Sequence, residues 1–495
     1  RGGAKGRGMA VYRDGSDGDG LDLDRWSIPE LQLRRLRGDV DAVGLTEAYL
    51  DRIGRADGVL RAVLAVDPTA SAQAAASDRR LAAGALRGPL DGIPVLLKDN
   101  IDTAGLPTTA GSRALAGRRP ARDAEVVRRL RAAGAVILGK ANLSEWANFR
   151  STGAVAGWSA VGGQTRNPYA PDRSPSGSSS GSAAGVAAGF AQVAIGTETD
   201  GSLVCPAGMN GVVGFKPSLG LVGTAGLVPV SRARDTAGPI ARNVGDAALT
   251  LSVLLQDHRS LRVLGDRPAL RGARIGLWRM PAYGAGVDRL MTRVADLLRE
   301  QGAEVAEVDI EVRPLLDLQA GILPGEFRRD IESYLRTRDD APEGLAELID
   351  FHRGDPLERA CFSGLELFEQ ALAAPGPDDP GHRARRAELD ERASRSIDEL
   401  LTRHRLDALA APSNPPAWRI DCRAGDEEFV PTSTPAAAAG YPSISVPAGF
   451  VGSLPAGVSF MGGRGADAHV LDLAAEYERV AGARRPPPAS ATDPA

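Results

Sequence analysis

Between Gly92 and Gly196 short apolar runs bounded by turn residues alternate with helical stretches, and that alternation restricts the chain to an α/β architecture. Gly92-Ile-Pro-Val-Leu-Leu-Lys98 reads as a buried strand that delivers Lys98 at its end. Val126 to Ala133 has helical spacing, Ala135-Val-Ile-Leu138 is the next strand, and Gln192 to Gly196 is another. Between the last two, Ser174 to Gly189 changes character. A turn-rich run, Ser-Pro-Ser-Gly-Ser-Ser-Ser-Gly-Ser, passes directly into Ala183-Ala-Gly-Val-Ala-Ala188, a close-packing helix whose first turn has free backbone N–H groups.

The flanking regions are simpler. Trp26 to Leu86 predicts two or three helices, Leu315 to Arg405 is a charged helical excursion, and Gly440 to Phe460 returns to strand and turn signals. No internal repeat is present. The expected organisation is an N-terminal tail over 1–25, one domain over 26–480 containing the excursion at about 315–405, and a disordered Pro/Ala-rich tail over 481–495. Arg1 to Gly8 precedes Met9 and reads as an added leader.

A net charge of −4 and a pI near 5.9 leave no basic field for nucleic acid. No apolar run approaches the ~20 residues of a membrane helix. The expectation is a soluble, cytoplasmic monomer or homodimer acting on a small molecule or peptide. Cys205, Cys361 and Cys422 show neither paired nor His-linked spacing, so neither a disulfide nor a zinc site is predicted.

The chemistry must come from other residues. His258, His352, His382, His404 and His469 all lie outside the Gly/Ser-rich centre, so a Ser-His-Asp triad is unsupported and each reads as a surface or packing residue. Gly177-Ser-Ser-Ser-Gly181 matches G-x-S-x-G but lacks the strand directly before it, and no phosphate loop occurs. A serine without histidine needs a carboxylate or a neutral lysine as base. Lysine appears only at Lys5, Lys98, Lys140 and Lys216, while arginine supplies the other basic residues. A desolvated lysine can lose its proton, which arginine cannot. On residue type alone Lys98 reads either as such a base or as the ion-pair partner of Asp99.

Three blocks resemble the amidase-signature family: Gly92-Ile-Pro-Val-Leu-Leu-Lys-Asp-Asn-Ile101, Ser176-Gly-Ser-Ser-Ser-Gly-Ser-Ala-Ala184, and Ile195-Gly-Thr-Glu-Thr-Asp-Gly-Ser202 followed by Cys205-Pro-Ala and Gly211-Val-Val-Gly-Phe-Lys-Pro217. The resemblance is close from about Leu90 to Asp246 and returns more loosely from Asp407 to Arg479. It implies a single large α/β/α domain with a mixed central β-sheet flanked by helices, its site at the sheet's edge beneath the excursion. It also implies Ser202 as nucleophile, Ser178 as bridging serine held through a cis peptide bond, and Lys98 as base. The backbone N–H groups of Thr199, Asp200, Gly201 and Ser202 would form the oxyanion hole, and no cofactor or metal is implied.

Ser144-Glu-Trp-Ala-Asn-Phe-Arg150 and the Glu198-Thr-Asp-Gly-Ser202 turn look most like the bacterial peptide amidases, which release ammonia from C-terminal peptide amides. Asp200 departs from the glycine common in the family, and either contacts the leaving group or holds the turn. By the same resemblance Trp146, Asn148 and Phe149 would line the substrate cleft. The alternatives are a glutaminase subunit of a tRNA-dependent amidotransferase, a hydrolase of other small or aryl amides, and a silent binding protein, which would have no chemical need for Lys98, Ser178 and Ser202 together.

Overall fold

The computed structural model describes residues 23–117, 119–255, 268–339 and 341–488. Its strands are β1 (Val63–Val66), β2 (Pro94–Lys98), β3 (Val136–Ala141), β4 (Trp158–Ser159), β5 (Gly163–Gln164), β6 (Val193–Glu198), β7 (Val213–Lys216), β8 (Thr236–Ala241), β9 (Arg274–Trp278), β10 (Glu304–Val308), β11 (Ala408–Pro412), β12 (Ser443–Val451) and β13 (Leu454–Met461). Eleven of them make one mixed sheet in the order β1-β3-β2-β6-β8-β7-β12-β13-β11-β9-β10, and β4 pairs with β5 apart from it. The β3-β2-β6 segment is parallel, as is β11-β9-β10, and the pairs between these segments are antiparallel. β2, β3 and β6 are buried along their whole lengths, which is why they read as apolar runs without alternation.

The helices before the excursion are α1 (Ile28–Arg37), α2 (Ala42–Leu60), α3 (Ala70–Ala82), α4 (Glu125–Ala132), α5 (Ser180–Ala187), α6 (Val204–Met209), α7 (Val244–Leu254) and α8 (Ala285–Glu300). α1 begins where its residues dictate: Ser27 and Glu30 form a capping box, and Gly38 ends it in the left-handed conformation. α5 packs on β2, β3 and β6 and touches α6, while α4, α7 and α8 belong to the other helical layer.

The excursion comprises α9 (Arg313–Leu335), α10 (Leu345–Gly354), α11 (Glu366–Ala373) and α12 (Pro380–His404), followed by α13 (Thr434–Ala439) and α14 (Asp467–Ala481), which joins α7 and α8. Phe327, Ile331, Leu348 and Phe368 of the excursion bury a core of their own against Trp146 and Leu115.

Three expectations are corrected. The Trp26 to Leu86 region contains three helices and also β1, whose four residues pair antiparallel with β3 and are too short to compete with the surrounding helical pattern. Residues 481–488 of the expected tail pack on the domain: Tyr169 donates to the Arg485 carbonyl, and the Arg485 guanidinium lies over Phe450. The rest of that tail, 489–495, lies outside the described residues, as do 1–22 and His258. Finally, the predicted site residues cluster at the carboxyl ends of β2 and β6, which are interior strands, so they do not lie at an edge of the sheet.

Candidate active site

Lys98 ends β2 and is fully buried. Its Nζ donates to Ser178 Oγ at 2.7 Å, to Thr197 Oγ1 at 2.9 Å and to the Thr197 carbonyl at 3.1 Å. Burial disfavours its charged form and brings its pKa down to about 7, against the opposing pull of Asp235 and Glu198. The ion pair with Asp99 is not made by Lys98. Asp99 instead pairs with Lys140 at 3.3 Å, and Lys140 also donates to the Ile101 carbonyl and Thr108 Oγ1. Lys140 therefore neutralises the carboxylate that follows Lys98 in sequence and leaves Lys98 to the Ser178 and Thr197 oxygens. The sequence carries no sign of this pairing, because it runs between the end of β2 and β3.

The serine-rich block is fastened to β6 by its own hydroxyls. Ser179 Oγ donates to the Thr197 carbonyl and accepts from Thr197 N, Ser182 Oγ donates to the Ile195 carbonyl, and Ser180 Oγ donates to the Ser176 carbonyl. Small side chains are required: a Cβ on Gly181 would lie 2.3 Å from the Ala62 carbonyl oxygen. The Gly177–Ser178 peptide is cis, and Ser179 N donates to the Ser202 carbonyl at 3.3 Å, joining this block to the turn after β6. No direct hydrogen bond joins the Ser178 and Ser202 hydroxyls.

That turn is held on every side. Glu198 accepts from Leu203 N at 2.7 Å and Val204 N at 3.2 Å, and interacts with the Gly201 N–H. Thr199 Oγ1 donates to Asp235 Oδ1 at 2.5 Å. Burial raises Asp235 to about 7, against its hydrogen bonds from Thr199, Ser231 and Val230. Asp200 accepts from Ser433 Oγ at 2.6 Å, Thr434 Oγ1 at 2.7 Å and Gln319 Nε2 at 2.9 Å. The departure at Asp200 thus ties the turn to α13 and α9. Gly201 has φ +79°, and a Cβ there would meet Ser433 Oγ at 2.9 Å and Cys205 Sγ at 3.0 Å, so only glycine passes easily.

Ser202 opens onto a cleft of about 800 Å³ lined by Asn148, Ser176, Gly177, Asp200, Gly201 and Ser202 on the catalytic side, and by Tyr283, Arg313, Trp418 and residues 426–431 opposite. Of the three residues expected to line it, only Asn148 does. Trp146 is buried against Phe368 and His352, and Phe149 packs on Phe327 with centroids 4.8 Å apart. The cause is local: Trp146, Ala147 and Asn148 all have positive φ, and this left-handed turn sends the two rings into the excursion's core while Ala147 and Asn148 face the cleft.

Behind that turn lies a buried polar cluster that the sequence did not disclose. Trp146 Nε1 donates to His352 Nε2 at 2.9 Å, which places the imidazole proton on Nδ1, 3.0 Å from Glu358 Oε2. Burial lowers the His352 pKa and keeps the ring neutral. Arg150 Nε lies 2.9 Å from Glu145 Oε2. Burial and the neighbouring Glu358 push the Glu145 pKa well up. Glu358, although burial opposes it, is brought to about 2 by hydrogen bonds from Glu145 and His352. Glu145, His352 and Glu358 bring one ligand atom each within 4.8 Å of one another, but the Arg150 guanidinium already supplies the cation this group needs.

The expectation of no disulfide is overturned: Cys361 and Cys422 are bonded, while Cys205 is free and buried. The two partners are 61 residues apart and meet only because the excursion folds back over the loop that walls the cleft. Spacing rules read local pairs and cannot register such a contact.

The same fold recurs in known proteins. The amidase family model matches residues 44–471, and the chain belongs to the amidase-signature family of amide-cleaving hydrolases. The native peptide amidase of Stenotrophomonas maltophilia superposes with a TM-score of 0.89 at 44% identity, covering 94% of this chain and 99% of that one. A probable amidase of Arabidopsis thaliana is 36% identical over 90% of this chain and 87% of its own length. One component of the glutamyl-tRNA(Gln) amidotransferase of Salinispora arenicola is 35% identical over 94% of this chain and 99% of its own. The structure of the corresponding component from Thermotoga maritima aligns less well, with a TM-score of 0.67 at 28% identity, over 93% of this chain and 95% of that one.

Proposed function

We propose that the protein hydrolyses the C-terminal carboxamide of peptides through Lys98, Ser178 and Ser202. The observation that carries this reading is the 2.7 Å hydrogen bond from a lysine whose pKa is brought down to about 7 to the serine beside the nucleophile turn. Neutral Lys98 takes the Ser178 proton as Ser178 takes that of Ser202, and Ser202 Oγ adds to the amide carbon. The Gly201 N–H is turned to Glu198, and the N–H groups of Thr199, Asp200 and Ser202 stabilise the oxyanion. Ser178 returns a proton to the departing nitrogen, ammonia leaves, and water cleaves the acyl ester by the same route in reverse.

A peptide rather than glutamine is favoured by the cleft. About 800 Å³ lies toward the upper part of the range for ligand pockets, roughly 300–1,000 Å³, and far exceeds what the small acyl portion of glutamine fills. The closer superposition on peptide amidase than on the amidotransferase component supports the same choice. The cytoplasmic location expected from the sequence is opposed by the Cys361–Cys422 bond, since such bonds persist in oxidising compartments. No helix among the described residues is long and apolar enough to cross a membrane.

The test is ammonia release from peptide amides and from glutamine by the purified protein and by Ser202→Ala. Release from peptide amides by the unaltered protein alone supports the proposal. Equal release by both removes Ser202 from its role, and release from glutamine alone returns the amidotransferase reading.

A further inference from the structure

Four carboxylates line the cleft, and two of them have no partner among the described residues. Asp200 is consumed by Ser433, Thr434 and Gln319. Asp426 accepts from Trp418 Nε1 at 2.8 Å and Ala156 N at 2.9 Å, and burial raises it to about 6. Glu427 and Glu428 follow directly, both exposed, both on the cleft wall, and neither is engaged in a hydrogen bond or ion pair among the described residues. The backbone that presents them is held on both sides. Asp426 anchors it before, Tyr283 Oη donates to the Val430 carbonyl at 2.6 Å after, and the Cys361–Cys422 bond fastens the same loop to the excursion. A loop built this firmly, with the paired groups turned to scaffold and two adjacent charges left free, is a preorganised acidic wall.

We infer that Glu427 and Glu428 select peptide amides carrying a cationic group, a lysine or arginine side chain or a free α-amino terminus, on the acyl portion that occupies the cleft. This rests on the peptide-amide reading above and specifies its substrate class. The leaving group is ammonia, so everything else of the substrate lies on the acyl side, and the cleft running from Ser202 to residues 426–431 is where that portion extends. Among the described residues the only cationic side chain lining the cleft is Arg313, against the two free carboxylates and the two engaged ones. The resulting negative potential draws cations into a concave site and repels acidic peptides, and because Glu427 and Glu428 are exposed the effect weakens as salt screens it.

The experiment measures kcat/KM for ammonia release from N-acetylated tripeptide amides that carry lysine, norleucine or glutamate at each position in turn, at low and high sodium chloride. The same norleucine peptide with a free amino terminus separates the two sources of cation. Lysine should exceed glutamate by about fivefold or more at one position at low salt, with the ratio falling toward unity at high salt. In Glu427→Gln/Glu428→Gln the ratio should collapse, and in Glu427→Lys/Glu428→Lys it should invert. Because each ratio is taken within one enzyme preparation, partial misfolding of a variant does not change it. A free amino terminus that alone raises the rate assigns the cation to the terminus and upholds the acidic wall. Equal turnover of all peptides, or a preference that survives both double variants, overturns this inference alone. Silence toward every peptide amide overturns it together with the proposed function.

Discussion

Lys98 Nζ and Ser178 Oγ are 2.7 Å apart although 80 positions of chain separate them, and among the described residues no carboxylate forms an ion pair with that lysine. The nearest one in sequence, Asp99, is neutralised by Lys140, so the site holds a lysine with hydroxyl and carbonyl partners in place of a salt bridge.

In the proposed mechanism Lys98, Ser178 and Ser202 pass one proton as a unit, and removing any one stops the relay. Ser202→Ala and Lys98→Met should each lower kcat by about 10⁴-fold or more, and the double variant should be no slower than the worse single one. Steady-state ammonia release checks this, with fluorophosphonate labelling of Ser202 as an independent readout.

The base must be neutral to accept a proton. Below the Lys98 pKa of about 7 the ammonium form dominates, so kcat/KM should fall roughly tenfold per pH unit on the acid side and level off above it. The Asp235 charge opposes the depression of the Lys98 pKa. Asp235 is itself raised to about 7 and so only partly charged at that midpoint, and Asp235→Asn should therefore move the acid limb modestly to lower pH, whatever it does to the plateau. An unchanged limb would show that a different group controls it.

Arg150 is the single guanidinium in the cluster of Glu145, His352 and Glu358, and its side chain is fully buried. Arg150→Met leaves the Glu358 charge without its cation, and should cost about 3–5 kcal/mol in urea unfolding. Because the cluster holds Trp146, and with it the turn that sets Asn148 on the cleft, KM for peptide amides should rise as well.

The Cys361–Cys422 bond closes a loop of 61 positions that includes the end of the excursion and one wall of the cleft. Cys361→Ser/Cys422→Ser should lose about 2–4 kcal/mol of stability by freeing the unfolded chain. Thermal unfolding with and without reductant is the check: reductant should lower Tm of the unaltered protein and leave the variant where it is.

The three side chains proposed to do the chemistry were legible because each is announced by its own neighbourhood. An apolar run ends in lysine, serine and glycine crowd ahead of an alanine-rich helix, and a Thr-Glu-Thr-Asp-Gly-Ser turn follows a strand. The same local logic located β2, α4, β3, α5 and β6 and the helical character of the excursion, though not its separate helices, since periodicity and turn residues are properties of short stretches.

What lay between distant segments was not legible. No spacing rule joins Asp99 to Lys140, Trp146 to His352, Asp200 to Thr434 or Cys361 to Cys422, because those partners are chosen by the packing of an eleven-stranded sheet and the helices over it. Trp146 and Phe149 show the limit most clearly. Their residue types were right for a cleft, yet a left-handed turn of three residues, held by a buried cluster from the excursion, directs both rings into the core. By itself the sequence determined which groups could do the chemistry and which elements carry them. Only the tertiary structure decided which charges cancel, which remain free to meet a substrate, and which side chains the cleft exposes, because burial and pairing depend on neighbours far away along the chain.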